Sequence, residues 1–255
     1  MQMFLNYLKC SIVTSLINDT HFPQAEITPT SIFSKRRHVL FIKHLGEGTY
    51  SNVYEIKNAR AIKVPIEYDD DLNETPASRF AEILINLKLN SCVNALPRLG
   101  PKIFDVWENV RQSGSYMFSM EKFPGTLCNL LRSHISDNSI MSMLAILMYN
   151  VSMYYNTLHF RHGDMKLNNI VYQNTRTNPK ELTIKGVGGK EVAVQLFTQY
   201  DMLLIDFGMS SIKHENIYIQ GMYYTDDGSN QSEAHDLRIL IFSLFFYTPL
   251  NRRKG

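Results

Sequence analysis

Three polar side chains crowd into one short stretch, Leu158 to Tyr172, read LHFRHGDMKLNNIVY: a carboxylate at Asp164, a cation at Lys166 and an amide at Asn169. A carboxylate can take a hydroxyl proton, an ammonium can hold a phosphate, and an amide oxygen can bind Mg²⁺. Phosphoryl transfer needs these groups in one place. The flanks indicate how the stretch is held. Apolar residues at Ile140, Met143, Leu147, Val151, Tyr154 and Leu158 follow the three-four spacing of a helix that buries one face. Ile140 to Leu158 is therefore expected to be a core helix that delivers the chain into the loop. Ile170-Val171-Tyr172 is a short β-like run that carries it away.

The loop resembles the catalytic loop H-R-D-x-K-x-x-N of eukaryotic-type Ser/Thr protein kinases, with Gly163 where Arg is usual. Other parts of that resemblance stand in the same order. Leu45-Gly46-Glu47-Gly48-Thr49-Tyr50-Ser51-Asn52-Val53-Tyr54 looks like a Gly-rich loop, with Ser51 at the third Gly position. Ala61-Ile62-Lys63-Val64 looks like the V-A-I-K strand, and Asp206-Phe207-Gly208 is the D-F-G triplet behind apolar Leu203-Leu204-Ile205.

The resemblance implies ATP and Mg²⁺ as cofactors and a protein substrate with a Ser/Thr acceptor. Asp164 would accept or orient the hydroxyl proton, and Lys166 would steady the transferring phosphate. Asn169 and Asp206 would hold Mg²⁺, and Lys63, paired with Glu82, would hold the α/β-phosphates. Leu45, Gly46, Glu47, Gly48, Ser51, Val53 and Ala61 would surround the nucleotide, with Met120, Glu121 and Phe123 as gatekeeper and hinge. A Lys inside an apolar strand is costly unless paired, which is why a partner on the next helix is sought. Thr75-Pro76 reads as N-cap and first residue of that helix, running to about Asn90 with Glu82 on it. Asn86 stands where kinases usually place an apolar residue.

The fold class that follows is α+β: a two-lobed protein-kinase-like fold with a small antiparallel β N-lobe and a mainly helical C-lobe. Residues 1–37 read as an N-terminal extension, a helix-like run followed by a Pro/Thr/Ser-rich connection to a basic, solvated turn at Lys35-Arg36-Arg37. Residues 38–123 read as the N-lobe, with five strands: His38 to Leu45, Asn52 to Ile56, Arg60 to Pro65, Ile103 to Trp107 and Ser115 to Glu121. Residues 124–255 read as the C-lobe, opening with a short helix around Thr126 to Ser133. More chain separates Asn169 from Asp206 than a kinase needs there, and two alternating runs flank Gly186-Val187-Gly188-Gly189. A β-hairpin insertion over 176–198 is expected, outside the catalytic core. Asp236, at the start of an apolar helix, looks like the aspartate that braces the catalytic-loop backbone. The insertion, Gly163, a compact segment after D-F-G and an end at Thr248 to Gly255 that leaves no room for the usual last helices resemble haspin-like kinases and divergent kinases of large DNA viruses. With no Arg before Asp164 to draw in a phosphate, activity independent of phosphorylation at Tyr218, Tyr223, Tyr224, Thr225 or Ser229 is expected.

Composition sets the outer bounds. The chain has 255 residues, 44% of them hydrophobic, enough for one large domain or two small lobes. A net charge of +2 without a long Lys/Arg block disfavours nucleic acid as a partner. No run reaches the length needed to cross a membrane, and the apolar start lacks a basic residue before it, unlike a signal peptide. Cys10, Cys92 and Cys128 are scattered, in no metal spacing, and suggest free thiols in an intracellular setting, with the chain a monomer. Two other readings stay open. His162-Gly163-Asp164 also matches the H-G-D of small-molecule phosphotransferases, against which Lys166 argues, and a kinase fold can serve as a non-catalytic scaffold.

Overall fold

Eight strands from the first half of the chain form one curled sheet. The computed structural model describes residues 22–35, 37–48, 50–66, 76–112, 115–133, 135–175, 180–185, 189–214, 217–221 and 234–247. The sheet holds β1 (Gln24–Thr28), β2 (Ser31–Ser34), β3 (His38–Leu40), β4 (Lys43–Glu47), β5 (Ser51–Ile56), β6 (Arg60–Pro65), β7 (Ile103–Asn109) and β8 (Tyr116–Glu121). Their order is β3-β2-β1-β7-β8-β6-β5-β4, antiparallel throughout except where β1 runs beside β7.

Two expectations are corrected here. Segment 24–34 is not a connection but a hairpin of the sheet: Pro29 sits in the turn between β1 and β2, where it breaks no ladder, and Ala25 and Ile32 are buried. The run from His38 to Leu45 is not one strand, because Phe41-Ile42 divides β3 from β4. That division shapes the lobe. A flat sheet of eight strands is about 34 Å across, whereas the steps from Leu40 to Lys43 reach about 11 Å. The sheet must therefore curl until its edge strands meet. Phe41 N–H donates to the Thr30 carbonyl (2.9 Å) on one edge and Ile42 N–H to the Glu55 carbonyl (2.8 Å) on the other. Inside the curl lies a core of Ala25, Ile32, Ile62, Val64, Trp107 and Met117, with Phe41 stacked on Tyr54 at 4.3 Å. Arg37, read as part of a solvated turn, pairs with Asp105 on β7 (2.9 Å), as does Arg60 on β6 (3.1 Å).

Helix α1 (Pro76–Ser91) lies against the other face of the sheet. Below it, β9 (Gly125–Thr126) leads into the single-turn α2 (Leu127–Leu131), capped reciprocally by Thr126 and Asn129. Helix α3 (Asp137–Leu158) is the expected core helix, begun by Ser136 and ended by His159 in the left-handed region (φ 47°). Its Tyr154 hydroxyl donates to the Leu89 carbonyl at the end of α1 (3.1 Å), tying the two halves together. Strand β10 (Ile170–Asn174) follows the polar loop; β11 (Lys180–Lys185) and β12 (Glu191–Leu196) form a separate two-stranded hairpin. Then β13 (Tyr200–Leu204) pairs with β10, β14 (Ser211–His214) with β15 (Ile217–Gln220), and α4 (His235–Tyr247) comes last. The N-terminal helix-like run, Thr75, the Ser113-Gly114 turn, Tyr223, Tyr224, Thr225, Ser229 and Thr248 to Gly255 lie outside the described residues. No helix among the described residues is long and apolar enough to cross a membrane.

Candidate active site

The curled sheet and the lower elements face each other across a cleft of about 1450 Å³, and every site residue expected from the sequence lines it. Gly46 and Gly48 sit at the β4–β5 hairpin, where the ladder shifts register between His44 and Gly46. A Cβ on Gly46 would meet nothing within 4 Å, and one on Gly48 would touch only Ser51 at 3.6 Å. The backbone there is open to a close-approaching anion.

Lys63 projects from β6, which is flanked by β5 and β8, so its position is set by two ladders. Its Nζ lies 2.7 and 2.9 Å from the two carboxylate oxygens of Glu82 and 2.8 Å from Asp206 Oδ1. Burial alone would pull the Lys63 ammonium down; the Asp206 and Glu82 carboxylates outweigh it and hold the group above its ordinary range. In turn, the Lys63 charge holds the Asp206 carboxyl below its ordinary value, against the opposing pull of burial. Asp206 itself stands in the left-handed region (φ 65°, ψ 71°), a conformation uncommon for a residue other than glycine. It then enters the 3₁₀ turn Phe207–Met209, whose buried Phe207 ring packs against His162 and Phe160.

The loop after α3 is held mostly through its backbone. Asp236 at the start of α4 accepts from His162 N–H (2.7 Å) and Gly163 N–H (2.8 Å). His162 accepts from Asp164 N–H through Nδ1 (3.3 Å), which leaves Nε2–H to donate to the Ile205 carbonyl (2.9 Å). Arg161 and Ser211 exchange both backbone hydrogen bonds at 2.9 Å. Gly163 has φ +80°, and a Cβ there would fall 2.2 Å from the Met209 carbonyl oxygen. The position thus excludes the side chain that the usual motif would put there. Lys166 Nζ donates to Asp164 Oδ2 (2.7 Å), and Asn169 Nδ2 donates to the Asp164 carbonyl (2.9 Å) and to Oδ2 (2.8 Å). With its Nδ2 so engaged, Asn169 has its Oδ1 left for a cation.

At the back of the cleft Met120 is buried, and the chain after it is tied down. Glu121 N–H donates to the Lys102 carbonyl (3.0 Å) and Lys122 N–H to the Ala59 carbonyl (3.3 Å). Phe123 N–H, next in line, has no hydrogen-bond partner among the described residues. The Glu121 carboxylate pairs with Arg98. Val171, Ile205 and Thr126 also stand in the cleft wall, where the sequence pattern marks no site residue, although Val171 belongs to the buried apolar start of β10.

Sheet, helix, hinge strand and helical base follow one another as in a protein kinase, with the reactive groups at their junction. The fold is protein-kinase-like. No family model matches the chain. The probable serine/threonine-protein kinase fhkB of Dictyostelium discoideum is 25% identical over 185 residues, 72% of this chain and 14% of that protein. The chain thus spans a small part of the curated relative that it matches. A solved kinase domain, that of PF14_0431, aligns with a TM-score of 0.43 at 17% identity, covering 70% of this chain and 53% of that one.

The donor set suits Mg²⁺-ATP. Mg²⁺ is usually held by one or two carboxylates together with phosphate oxygens rather than by an all-protein cage. Asp206 and the Asn169 amide oxygen offer such a partial site, and among the described residues no fuller cluster of His, Cys, Asp and Glu competes with it.

Proposed function

We propose that this chain is a protein kinase that transfers the γ-phosphate of ATP to Ser/Thr hydroxyls of protein substrates in an intracellular setting. The observation that carries the proposal is the convergence of Glu82 and Asp206 on the Lys63 ammonium, each within hydrogen-bond reach of it, over a loop that presents Asp164, Lys166 and Asn169 to the same cleft. Mg²⁺-ATP, when bound, supplies the phosphoryl group and the metal charge that offsets its negative oxygens.

The chain's own residues supply position and field. Lys63, kept charged by two carboxylates, offers its ammonium to the α/β-phosphates while Glu82 fixes where that ammonium sits. Asp206 and Asn169 hold Mg²⁺. The Asp164 carboxylate accepts or orients the proton of the attacking hydroxyl, and Lys166 beside it steadies the phosphate being transferred. Met120, Glu121 and Phe123 face adenine, for which the Phe123 N–H is the available main-chain donor. A finer likeness, to haspin-like kinases and those of large DNA viruses, is supported by Gly163 and by the β11–β12 hairpin.

Purified protein incubated with γ-labelled ATP, Mg²⁺ and a mixture of protein acceptors and small alcohols tests the proposal. Label on Ser or Thr that disappears in Asp206→Ala is the expected result. Label only on small alcohols would make the chain a small-molecule phosphotransferase. A folded protein that binds no ATP would be a scaffold.

A further inference from the structure

Glu82 can reach Lys63 only while α1 keeps one rotation about its own axis. Ile83 and Leu87 pack toward the sheet and Phe80, one turn earlier, touches it through Tyr116, whereas Glu82 and Asn86 form the neighbouring stripe that lines the cleft. The two stripes turn together. With side-chain tips about 5–6 Å from the helix axis, a roll of about 30° would carry the Glu82 carboxylate about 3 Å, out of hydrogen-bond range of Lys63.

The stripe is closed at its N-terminal end by a ring from outside the helix. Phe22 stands just before β1, where the Pro23 carbonyl accepts from Glu108 N–H (3.2 Å) and Gln24 pairs with Glu108 in register. Its position is therefore set by the backbone of β7. From there its ring reaches Phe80 on α1 (centroids 5.7 Å, interplanar 68°) and Tyr116 on β8 (5.5 Å, 72°). Phe80 and Tyr116 also meet, at 5.3 Å. Helix, sheet and N-terminal segment thus join in a single three-ring cluster beside the buried Ile83 and Phe118. Beyond this ring cluster α1 meets the sheet through Ile83 and Leu87, and its contacts with the Phe207–Met209 turn and β15 lie outside the sheet that carries Lys63.

We propose that Phe22 is a positioning residue for the Lys63–Glu82 pair: the N-terminal segment fixes the roll of α1 by packing one ring against both Phe80 and Tyr116. The inference rests on the kinase reading above and names a device that serves the same site. Phe22 is half-buried and lies outside the interior of the curled sheet, so its loss leaves the core around Trp107 and Met117 intact. Its effect falls on Glu82.

A double-mutant cycle on the full chain tests this, read in Mg²⁺-ATP affinity and in kcat of phosphoryl transfer. Phe22→Ala lowers kcat/KM about tenfold, the order that two lost ring contacts are worth. In a Glu82→Gln background the same change costs less than about twofold, because the group that it positions is already neutral. Phe22→Tyr restores activity to within about twofold, and Phe33→Ala, an exposed ring on β2 (57%), leaves it unchanged. Phe22→Leu serves if Phe22→Ala does not fold. Losses that add across the cycle would make Phe22 a stability residue and overturn the inference. Failure of the unmutated chain to bind Mg²⁺-ATP would overturn both readings, whereas ATP binding without transfer to any protein acceptor would overturn only the kinase reading and leave the cycle legible in affinity.

Discussion

On the sheet side of the cleft Lys63 is held by charge: it touches two carboxylates, one from α1 and one from the lower half. On the loop side the backbone that carries Asp164 is held in a frame of its own: Asp236 on two N–H groups, the Arg161–Ser211 bridge, and Gly163 pressed against the Met209 carbonyl. A charge contact can be remade when a helix rolls and a phosphate arrives. A backbone contact at a glycine has no spare rotamer. The difference teaches where control can enter: the upper wall can be adjusted, and the lower wall is preset.

Substitutions should separate the two sides. The largest loss is expected for Asp206→Ala, which removes the proposed Mg²⁺ ligand and one partner of Lys63 together. Transfer should fall by about a hundredfold to a thousandfold with the fold retained, measured as initial rate and by circular dichroism. Asp236→Ala should act through the frame instead. It leaves two buried N–H groups without their acceptor, at about 3 kcal/mol, seen as a lower midpoint in urea. If Asp236→Ala changed ATP affinity without changing stability, the contrast between the walls would collapse.

Glu82→Gln should be milder, about ten- to thirtyfold in kcat/KM, with stability little changed, because Asp206 still faces the Lys63 ammonium. Phosphatase treatment should change turnover less than threefold, under about 0.7 kcal/mol of barrier, since the loop is braced without a phosphate. A tenfold loss restored by rephosphorylation would show that the lower wall is not preset. The smallest effect expected is none. The depressed Asp206 contributes above the ordinary carboxylate value of 3.8 and loses that contribution only as pH falls through its lower folded value. The raised Lys63 contributes below its ordinary 10.5 and loses it only as pH rises beyond that. Between about pH 5 and pH 9 this pair should therefore impose no titration on ATP affinity, and a midpoint in that window traced to either residue would contradict the geometry.

Side chains that act through charge were legible in the sequence, because their type reports their use. A Lys in an apolar strand asks for a carboxylate, and Glu82 stands on the next helix to supply it. Backbone devices left weaker traces. Gly163 reads as the absence of an Arg, and only its positive φ and its closeness to Met209 show a fitted contact. The hairpin β1–β2 leaves a weak trace because Pro29 and Thr30, which make its turn, are equally the composition of a longer connection. Phe22 gave no signal at all, since the rings that it meets come from distant parts of the chain.

The meeting of β3 and β4 at Phe41-Ile42 bears on how the molecule behaves in a crowded solution. An open sheet offers two rows of unpaired N–H and C=O groups to any passing strand, and that is how sheet proteins aggregate edge to edge. Here the two edges are a three-residue strand and a five-residue strand with a register shift, bent toward each other at one corner. Neither gives a foreign strand a long, flat line to pair with. The β11–β12 hairpin is different: among the described residues no further strand joins this two-stranded sheet. If the protein associates through strands at high concentration, the contact should begin at that hairpin rather than at the sheet that carries Lys63.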